Sequence, residues 1–324
     1  MKRFYITCFL YLAAGAVSCS KITDVCQAAG DEMLVVNPEC VASTKAIAEE
    51  ETLPDDYTII MSAHLTDNDT PSNTRDYFTA TEFTKNGDTW SAQPARYWPL
   101  SGKLDFLALA TDTDSFDLSG RMDWDFNNCS KGVWIDVPEC EGEPVELLYA
   151  RCSQDKHEAV QMEFLHSQAY LSFEAKCDKP DILRITGIEI KDAYARGLLY
   201  ISNLSSLRAL WSFDDEDSKN VALWTEDKYY LTLSEEYQEF SKGIILPEQG
   251  QQTIVIHFMQ RSSPESYWST RAIEYTYDIA ALGNMWRKGK KYIYKIDISL
   301  DPVTLTPKIV LDWGDEDIIK KDTL

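Results

Sequence analysis

The side chains in this sequence that could carry out acid–base or metal chemistry are few and widely separated. The four histidines are His64, His157, His166 and His257, and no two of them stand at the short spacing typical of paired metal ligands. The sequence also lacks a glycine-rich phosphate loop, a Gly-x-Ser-x-Gly turn and a His-Glu-x-x-His pair. We therefore expect no catalytic site, no bound metal and no cofactor, and we predict that the protein is not an enzyme.

Aspartates form three clusters that calcium could in principle occupy, at residues 112–117, 214–217 and 315–317. None of them has the glycine and the ligand spacing of an EF-hand loop, so we interpret all three as solvated loops. The formal net charge of the chain is −22. Such a surface repels the phosphate backbone of DNA and RNA, and a nucleic-acid partner is therefore not expected.

Cys19 is the residue with the clearest predicted chemistry. Two basic residues precede an apolar run over residues 4–17, which is shorter than the about 20 residues of a membrane-spanning helix and fits a signal peptide. The run ends in Ala16-Val17-Ser18-Cys19, which resembles a bacterial lipobox, where the cysteine thiol receives a diacylglycerol. We predict a lipoprotein signal peptide at 1–18 and an outer-membrane lipoprotein at the cell surface; an ordinary signal peptide is the alternative.

Six further cysteines would belong to the mature chain, and export would permit them to form disulfides. Six cysteines allow 15 pairings, among which the sequence cannot choose. Cys129 and Cys140 flank a strand-like stretch at 133–137 and could approach one another. The six are Cys26, Cys40, Cys129, Cys140, Cys152 and Cys177.

Short segments of alternating apolar and polar residues recur along the chain, and they predict an all-β fold. The segment 104–110 is apolar at nearly every position, which indicates a strand buried on both faces, and residues 279–285 are the one expected short helix. A polar stretch at 153–158 lies near the middle of the chain. We therefore predict a tether at 19–31 and two β-sandwich domains at 32–153 and 154–324, with predicted strands that include 57–65, 160–164, 169–175, 182–190, 197–201, 253–259 and 292–298.

Three motifs follow one another along the sequence. The first is Trp90 followed by Tyr97-Trp98-Pro99, a glycine and an aliphatic-Asp-Phe strand. The second is Leu147-Leu148-Tyr149-Ala150, followed by Phe164-Leu165-His166 before a strand of small residues. The third is a Trp, a Gly-Lys and a Tyr-x-Tyr strand within 286–294, with Asp312-Trp313 near the end. In this order and spacing they resemble the fimbrillin family of Bacteroidota, the subunits of type V surface pili.

The resemblance covers most of residues 32–313 and implies two tandem transthyretin-like β-sandwiches. It also implies a structural or accessory subunit of a pilus, in a stalk, tip or anchor position, whose partners are other pilus subunits. Such subunits assemble by β-strand addition after proteolysis removes their first strand. Here the candidate first strand is 32–36, the second is 57–65, and Lys45 is the only Lys or Arg between Ile22 and Thr74.

Lys45 is accordingly the predicted processing site, although family members are commonly cleaved after arginine. Trp98 and Trp313 are predicted structural anchors, since the pair Trp98-Pro99 makes a stiff turn before a buried strand. The alternative function is a surface glycan-binding lipoprotein in which exposed aromatic rings stack on sugars. The candidate rings for that role are Trp211, Trp224, Tyr229, Tyr230 and Trp268.

Overall fold

The structure is a computed structural model in which every regular element of the described residues is a β-strand. The all-β prediction is therefore confirmed. Residues 280–285 of the expected short helix lie outside the described part, and Ile279 ends a turn. No helix in that part is long and apolar enough to span a membrane. The structure describes residues 29–40, 51–68, 74–112, 122–125, 132–140, 143–155, 157–202, 208–214, 218–225, 233–247, 252–271, 273–279, 286–298 and 304–312.

The strands are numbered along the chain. The first half contains β1 Ala29–Met33, β2 Val35–Cys40, β3 Glu51–Thr52, β4 Tyr57–Thr66, β5 Thr74–Asn86, β6 Thr89–Ala92, β7 Tyr97–Pro99, β8 Lys103–Asp112, β9 Met122–Asp125, β10 Gly132–Val137, β11 Glu139–Cys140, β12 Glu143–Pro144, β13 Leu148–Gln154 and β14 Val160–His166. The second half contains β15 Ala169–Cys177, β16 Leu183–Tyr194, β17 Gly197–Ser202, β18 Arg208–Ser212, β19 Ser218–Thr225, β20 Gln238–Ile245, β21 Thr253–Gln260, β22 Ile273–Asp278, β23 Lys290–Ile298 and β24 Thr304–Asp312.

Seven strands of the first half pair in a closed ring. The order is β14-β13-β8-β4-β5-β6-β2, and β2 also pairs with β14, so the last strand returns to the first. The side chains that point inward from these strands form one apolar cluster, which includes Val36, Phe83, Phe106 and Phe164. Closure leaves this ring without the two free edges that an open sheet would have.

A second layer covers the outer face of β4 and β8. Strands β18, β17, β10 and β9 form a four-stranded sheet, and its inward side chains pack with Leu107 and Leu109 of β8 in a separate cluster. Strand β8 is thus buried on both faces, as the apolar run at 104–110 predicted.

Two four-stranded sheets of the second half share a third cluster. One sheet has the order β20-β15-β23-β24 and the other β19-β16-β21-β22. Phe173 and Tyr294 from the first sheet meet Ile188 and Phe258 from the second within this cluster. These strands therefore face one another across a shared apolar core.

The pairing of strands bears on where the chain divides. Strand β14 lies in the ring of the first half, although the predicted division at residues 153 and 154 assigns it to the second. The hairpin of β17 and β18 pairs with β10 of the first half. We therefore propose that the division falls after His166, with this hairpin reaching back across it.

Trp98 lies inside the ring at 2% exposure. Its indole meets the ring of Phe106 edge-on at 5.9 Å and stacks on His157 at 5.4 Å. The turn that follows needs glycine, because Gly102 has a φ of +103° and a Cβ there would lie 2.6 Å from Leu65 Cδ1. The turn thus fixes how the chain passes from Trp98 into β8.

We expect Trp98→Ala to lower the free energy of unfolding by about 3–5 kcal/mol, the range for deleting a buried aromatic side chain. The neighbouring Tyr97→Ala is the matched control, because Tyr97 is 41% exposed and its loss should cost less than about 1 kcal/mol. Urea unfolding followed by fluorescence and circular dichroism measures both. Equal losses for the two variants would show that Trp98 is not an anchor.

Candidate functional site

Strand β2 occupies the position that closes the ring. On one side it pairs antiparallel with β6, where Val36 stands opposite Trp90. On its other side it pairs in parallel with β14, from Val36 opposite Val160 to Cys40 opposite Phe164. Both backbone edges of this six-residue strand are therefore engaged.

Alternate side chains around β2 point into the ring. Leu34 and Val36 are 0% and 2% exposed, and Pro38 is also buried. The outward Asn37 donates a hydrogen bond from Nδ2 to Gln161 Oε1 at 3.1 Å. The segment thus presents three apolar contacts inward and one polar contact outward, in the two-residue period of a strand.

Strand β1 precedes β2 and pairs with a different strand. It pairs with β7, with Met33 opposite Tyr97. The break between the two strands is at Leu34, whose N–H donates to the carbonyl of Arg96 at 2.8 Å. Glu32 lies 3.3 Å from His157 Nδ1, which is the histidine that stacks on Trp98. The predicted first strand at 32–36 therefore includes the end of β1 and the start of β2.

Three predicted site residues lie outside the described residues. They are Cys19, Lys45 and Trp313. Lys45 belongs to the ten residues that follow β2 and precede β3. A cut at that position would leave β1 and β2 held by pairing and packing alone.

The junction between the two halves consists of residues 145–147, 166–168, 209–211 and 287–289. Gln168 is fully buried there, and its amide donates to Val145 O at 2.6 Å and accepts from Leu147 N at 3.1 Å. The carbonyl of Gln168 accepts from Gly289 N at 2.7 Å. One side chain and its own backbone therefore connect three segments of the chain.

Glu146 and His166 form a largely buried pair at this junction. His166 Nδ1 lies 3.0 Å from Glu146 Oε1, and the hydroxyl of Tyr57 donates to the other carboxylate oxygen. Burial raises the pKa of Glu146, but the hydrogen bond and charge of His166 and the hydrogen bond of Tyr57 outweigh it and lower the pKa overall. The aromatic-x-His motif thus places a histidine on a buried carboxylate.

The third sequence motif also has a structural role. Trp286 Nε1 donates to the hydroxyl of Tyr294 at 2.7 Å, and the hydroxyl of Tyr292 accepts from Arg287 N at 2.8 Å. Lys288 Nζ donates to Ala209 O at 2.6 Å, which joins this turn to β18. Burial raises the pKa of both tyrosines, so both hydroxyls remain protonated over the physiological range.

Every histidine of the chain lies beside a carboxylate. Besides the two pairs already described, His64 Nε2 lies 2.8 Å from Asp76 and His257 Nε2 lies 3.5 Å from Glu189. No group of three or more His, Cys, Asp or Glu side chains in the described ranges could hold a metal ion. Each histidine thus has a carboxylate as a neighbour within the chain.

Two cysteines with described side chains are thiols. Cys152 and Cys177 are free, and burial raises the pKa of each. Cys129, and with it the predicted pair with Cys140, lies outside the described residues, as does Cys26.

Two of the rings proposed for glycan stacking are engaged within the chain. The indole N–H of Trp211 donates to Ser167 O at 2.8 Å. The guanidinium groups of Arg184 and Arg261 both contact the ring of Trp268, at 4.5 and 4.6 Å from its centroid. Tyr229 and Tyr230, like the side chain of Trp224, lie outside the described residues, so nothing in the described geometry favours the glycan-binding alternative.

Three solved proteins of similar fold come from Bacteroides species. A fimbrial protein from Bacteroides vulgatus has a TM-score of 0.60 at 14% identity, over 87% of this chain and 100% of that one. Candidate cell adhesion proteins from Bacteroides ovatus and Bacteroides uniformis have TM-scores of 0.54 and 0.52 at 10% and 17% identity, covering 88% and 87% of this chain and 99% and 98% of theirs. No curated protein matches the chain.

The chain belongs to the fimbrillin-like family, which matches residues 44–313. The resemblance drawn from the three motifs is thereby confirmed. The protein has the role of a pilus subunit at the cell surface, and it is a structural protein rather than an enzyme.

The Glu146–His166 pair gives a test of the junction by pH. Because the pKa of Glu146 is lowered in the folded chain, its contribution is present above the ordinary value of about 4.5 and is lost as the pH falls through the folded value. We expect Glu146→Gln to destabilise the protein by roughly 1–3 kcal/mol at pH 7. The variant should also lose less of its free energy of unfolding than the original protein when the pH falls. Urea unfolding at pH 7, 5 and 3.5 measures this.

The exposed Glu163, on the neighbouring strand β14, provides the control. Glu163→Gln removes the same charge and should change the free energy of unfolding by no more than about 0.5 kcal/mol. If both glutamine variants had the same pH profile as the original protein, the pair would not stabilise the junction.

Proposed function

We propose that this protein is a pilus subunit that accepts a β-strand from a neighbouring subunit in the position of β2. The observation that carries the proposal is that β2 closes the ring of strands by pairing with both β6 and β14. After a cut at Lys45, a segment of another subunit would replace this strand. Main-chain hydrogen bonds would then supply affinity, and the inward side chains would set the register.

The position left by β2 would favour a replacement strongly. Its departure would expose two unpaired strand edges and the apolar surface that Leu34 and Val36 cover, and unpaired edges of this kind recruit strands. The incoming segment must place apolar side chains at the positions of Leu34, Val36 and Pro38 and be able to pair on both sides. An alternating apolar pattern of seven residues satisfies both conditions.

The predicted lipid site, the tether, the first two strands and the predicted cleavage site follow one another along the chain. A lipid on Cys19 would hold the precursor on the outer membrane through residues 19–31. A cut at Lys45 would separate that lipid and both first strands from the rest of the subunit. An anchor subunit, in contrast, would not be cut after Lys45 and would keep its first strand.

The pairing of the last described strand, β24, helps to choose between a stalk position and a tip position for this subunit. Among the described strands, β24 pairs only with β23 and stands at the edge of its sheet. A stalk subunit would donate a segment from Lys308 onward, and that donation would have to detach part of this edge strand. A tip or accessory subunit needs only to accept a strand, and we propose this role because it leaves β24 in place.

Cleavage at Lys45 should make the first strands exchangeable. We expect limited trypsin to cut the folded protein first at Lys45, and a labelled peptide of residues 29–40 then to replace the original segment. Lys45→Gln should block both events, whereas Arg75→Gln, which changes the next Lys or Arg along the chain, should block neither. N-terminal sequencing and native gel fluorescence measure the cut and the exchange.

A peptide carrying Val36→Asp is the matched control for the exchange, because it places a charge inside the ring. We expect it not to bind, since an unpaired buried carboxylate is costly. Equal binding of both peptides, or exchange into uncut protein, would rule out replacement at β2.

Lipid attachment at Cys19 is testable in cells. We expect labelled fatty acid to be incorporated into the original protein and not into Cys19→Ala, because the thiol is the predicted acceptor. Cys152→Ala should keep its label. Unchanged labelling of Cys19→Ala would show that the segment is an ordinary signal peptide.

A further inference from the structure

The position that β2 occupies, which we call the β2 slot, is bounded by β6 and β3 on one side and by β14 on the other. Inside the ring, apolar side chains of β2 meet apolar neighbours, and Val36 stands opposite Val160, which is also buried. On the outer face, Asn37 donates its hydrogen bond to Gln161. At these positions the side chains of β2 and β14 suit one another.

Glu39 is the exception to this match. It stands directly opposite Glu163 in the parallel pairing of β2 with β14, where neighbouring strands are about 4.8 Å apart. Glu39 is half-buried and Glu163 is exposed. Among the described residues, no basic side chain forms an ion pair with either carboxylate. Like charges directly opposite one another on neighbouring strands are destabilising.

The surroundings of this pair do not offset the repulsion. On the other side of β2, the residue opposite Glu39 is Thr52 of β3, which carries no charge. Burial is the main cause of the raised pKa of the Cys152 thiol, and the negative charges of Asp105 and Glu163 add to it. Glu163 therefore belongs to a negatively charged part of the outer surface.

We propose that the β2 slot selects an incoming strand with a lysine or arginine in the register of Glu39. The proposal rests on strand replacement at β2 and names the chemistry of the partner. A basic side chain there would turn the repulsion by Glu163 into attraction, and it would leave the apolar contacts inside the ring unchanged. The partner is thus a strand of alternating apolar and polar residues with a cation three residues after the one that replaces Val36.

The cation would also set the register of the incoming strand. Inward side chains recur every two residues, so a strand shifted by two positions would still place apolar side chains inside the ring. The same shift would move the cation from Glu163 to the level of Gln161 or Leu165, neither of which is charged. The charge therefore distinguishes registers that the apolar pattern alone does not.

The repulsion at Glu39 is consistent with a strand that the chain can give up. In the intact chain the covalent link keeps β2 beside its slot at high effective concentration, so one unfavourable pair is tolerated. After a cut at Lys45, β2 and an incoming strand compete by affinity. A competitor that carries a cation opposite Glu163 then has the advantage.

Peptide exchange into the cut protein measures this preference. The receiving protein is the full chain carrying Cys19→Ala, cut at Lys45 and freed of trypsin. A peptide of residues 29–40 with Glu39→Lys should bind about three- to tenfold more tightly than the original peptide, because a repulsive cross-strand pair becomes attractive. Competition against the labelled original peptide, followed by fluorescence anisotropy, gives the ratio of affinities.

Two controls separate contact with Glu163 from general attraction to an acidic protein. A peptide with Asn37→Lys carries its added charge at the outward position that faces Gln161, and it should gain less than about twofold. Glu163→Lys in the receiving protein should remove the gain of the Glu39→Lys peptide and make the original peptide the tighter of the two. Thermal melting checks that this variant folds.

The same pair is measurable in uncut protein, where no exchange is needed. Glu39→Lys and Glu163→Lys should each stabilise the chain against urea, because each creates one pair of opposite charges. The double variant restores a pair of like charges and should be less stable than either single variant. Additive effects of the two substitutions would show that the residues do not interact, and would overturn the proposal.

The peptide experiment distinguishes this proposal from strand replacement itself. If the original and Glu39→Lys peptides exchange with equal affinity, or if Glu163→Lys leaves their ratio unchanged, selection of a cation is overturned and strand replacement stands. If no peptide enters the cut protein, strand replacement fails and the selection of a partner fails with it. A preference that reverses with the charge of residue 163 is the result we expect.

Discussion

The backbone hydrogen bonds of strand β2 are the constraint on which the first half depends. Buried N–H and C=O groups must be paired, and both β6 and β14 present such groups toward the space that β2 fills. The inner cluster gathers around that ring, and the second layer packs on the outer face of its central strand. A six-residue strand near the start of the chain therefore completes a core built from residues far along it.

The sequence predicted much of this arrangement but not its closure. Runs of mostly apolar residues located strand β4 and strand β8, because a strand covered on both faces needs apolar residues at nearly every position. The break at Leu34 was missed, since it is set by a hydrogen bond to Arg96. The parallel pairing of β2 with β14 was missed too, because it joins segments 124 residues apart at Asn37 and Gln161 and leaves no local pattern.

The residues of the family motifs hold the two halves together. His166 lies 3.0 Å from the carboxylate of Glu146, and the turn at Lys288 and Gly289 bonds to β18 and to Gln168. The motifs that carry the resemblance include His166 and Gly289, but they include neither Glu146 nor Gln168. A glutamine has no characteristic spacing, and only the fold brings its amide to the carbonyl of Val145.

Pro38 is an unusual residue for the strand that closes the ring. Proline has no N–H and is normally confined to edge strands, because it cannot complete a ladder between two neighbours. Pro38 lies opposite Met162 of β14, but on the other side of β2 the described pairings stop short of it, because β6 pairs with Val35 and Val36 and β3 pairs with Glu39 and Cys40. The proline therefore stands at a gap between two short antiparallel pairings, where a missing N–H costs less than in the middle of a ladder. This is how the strand that closes the ring tolerates a proline.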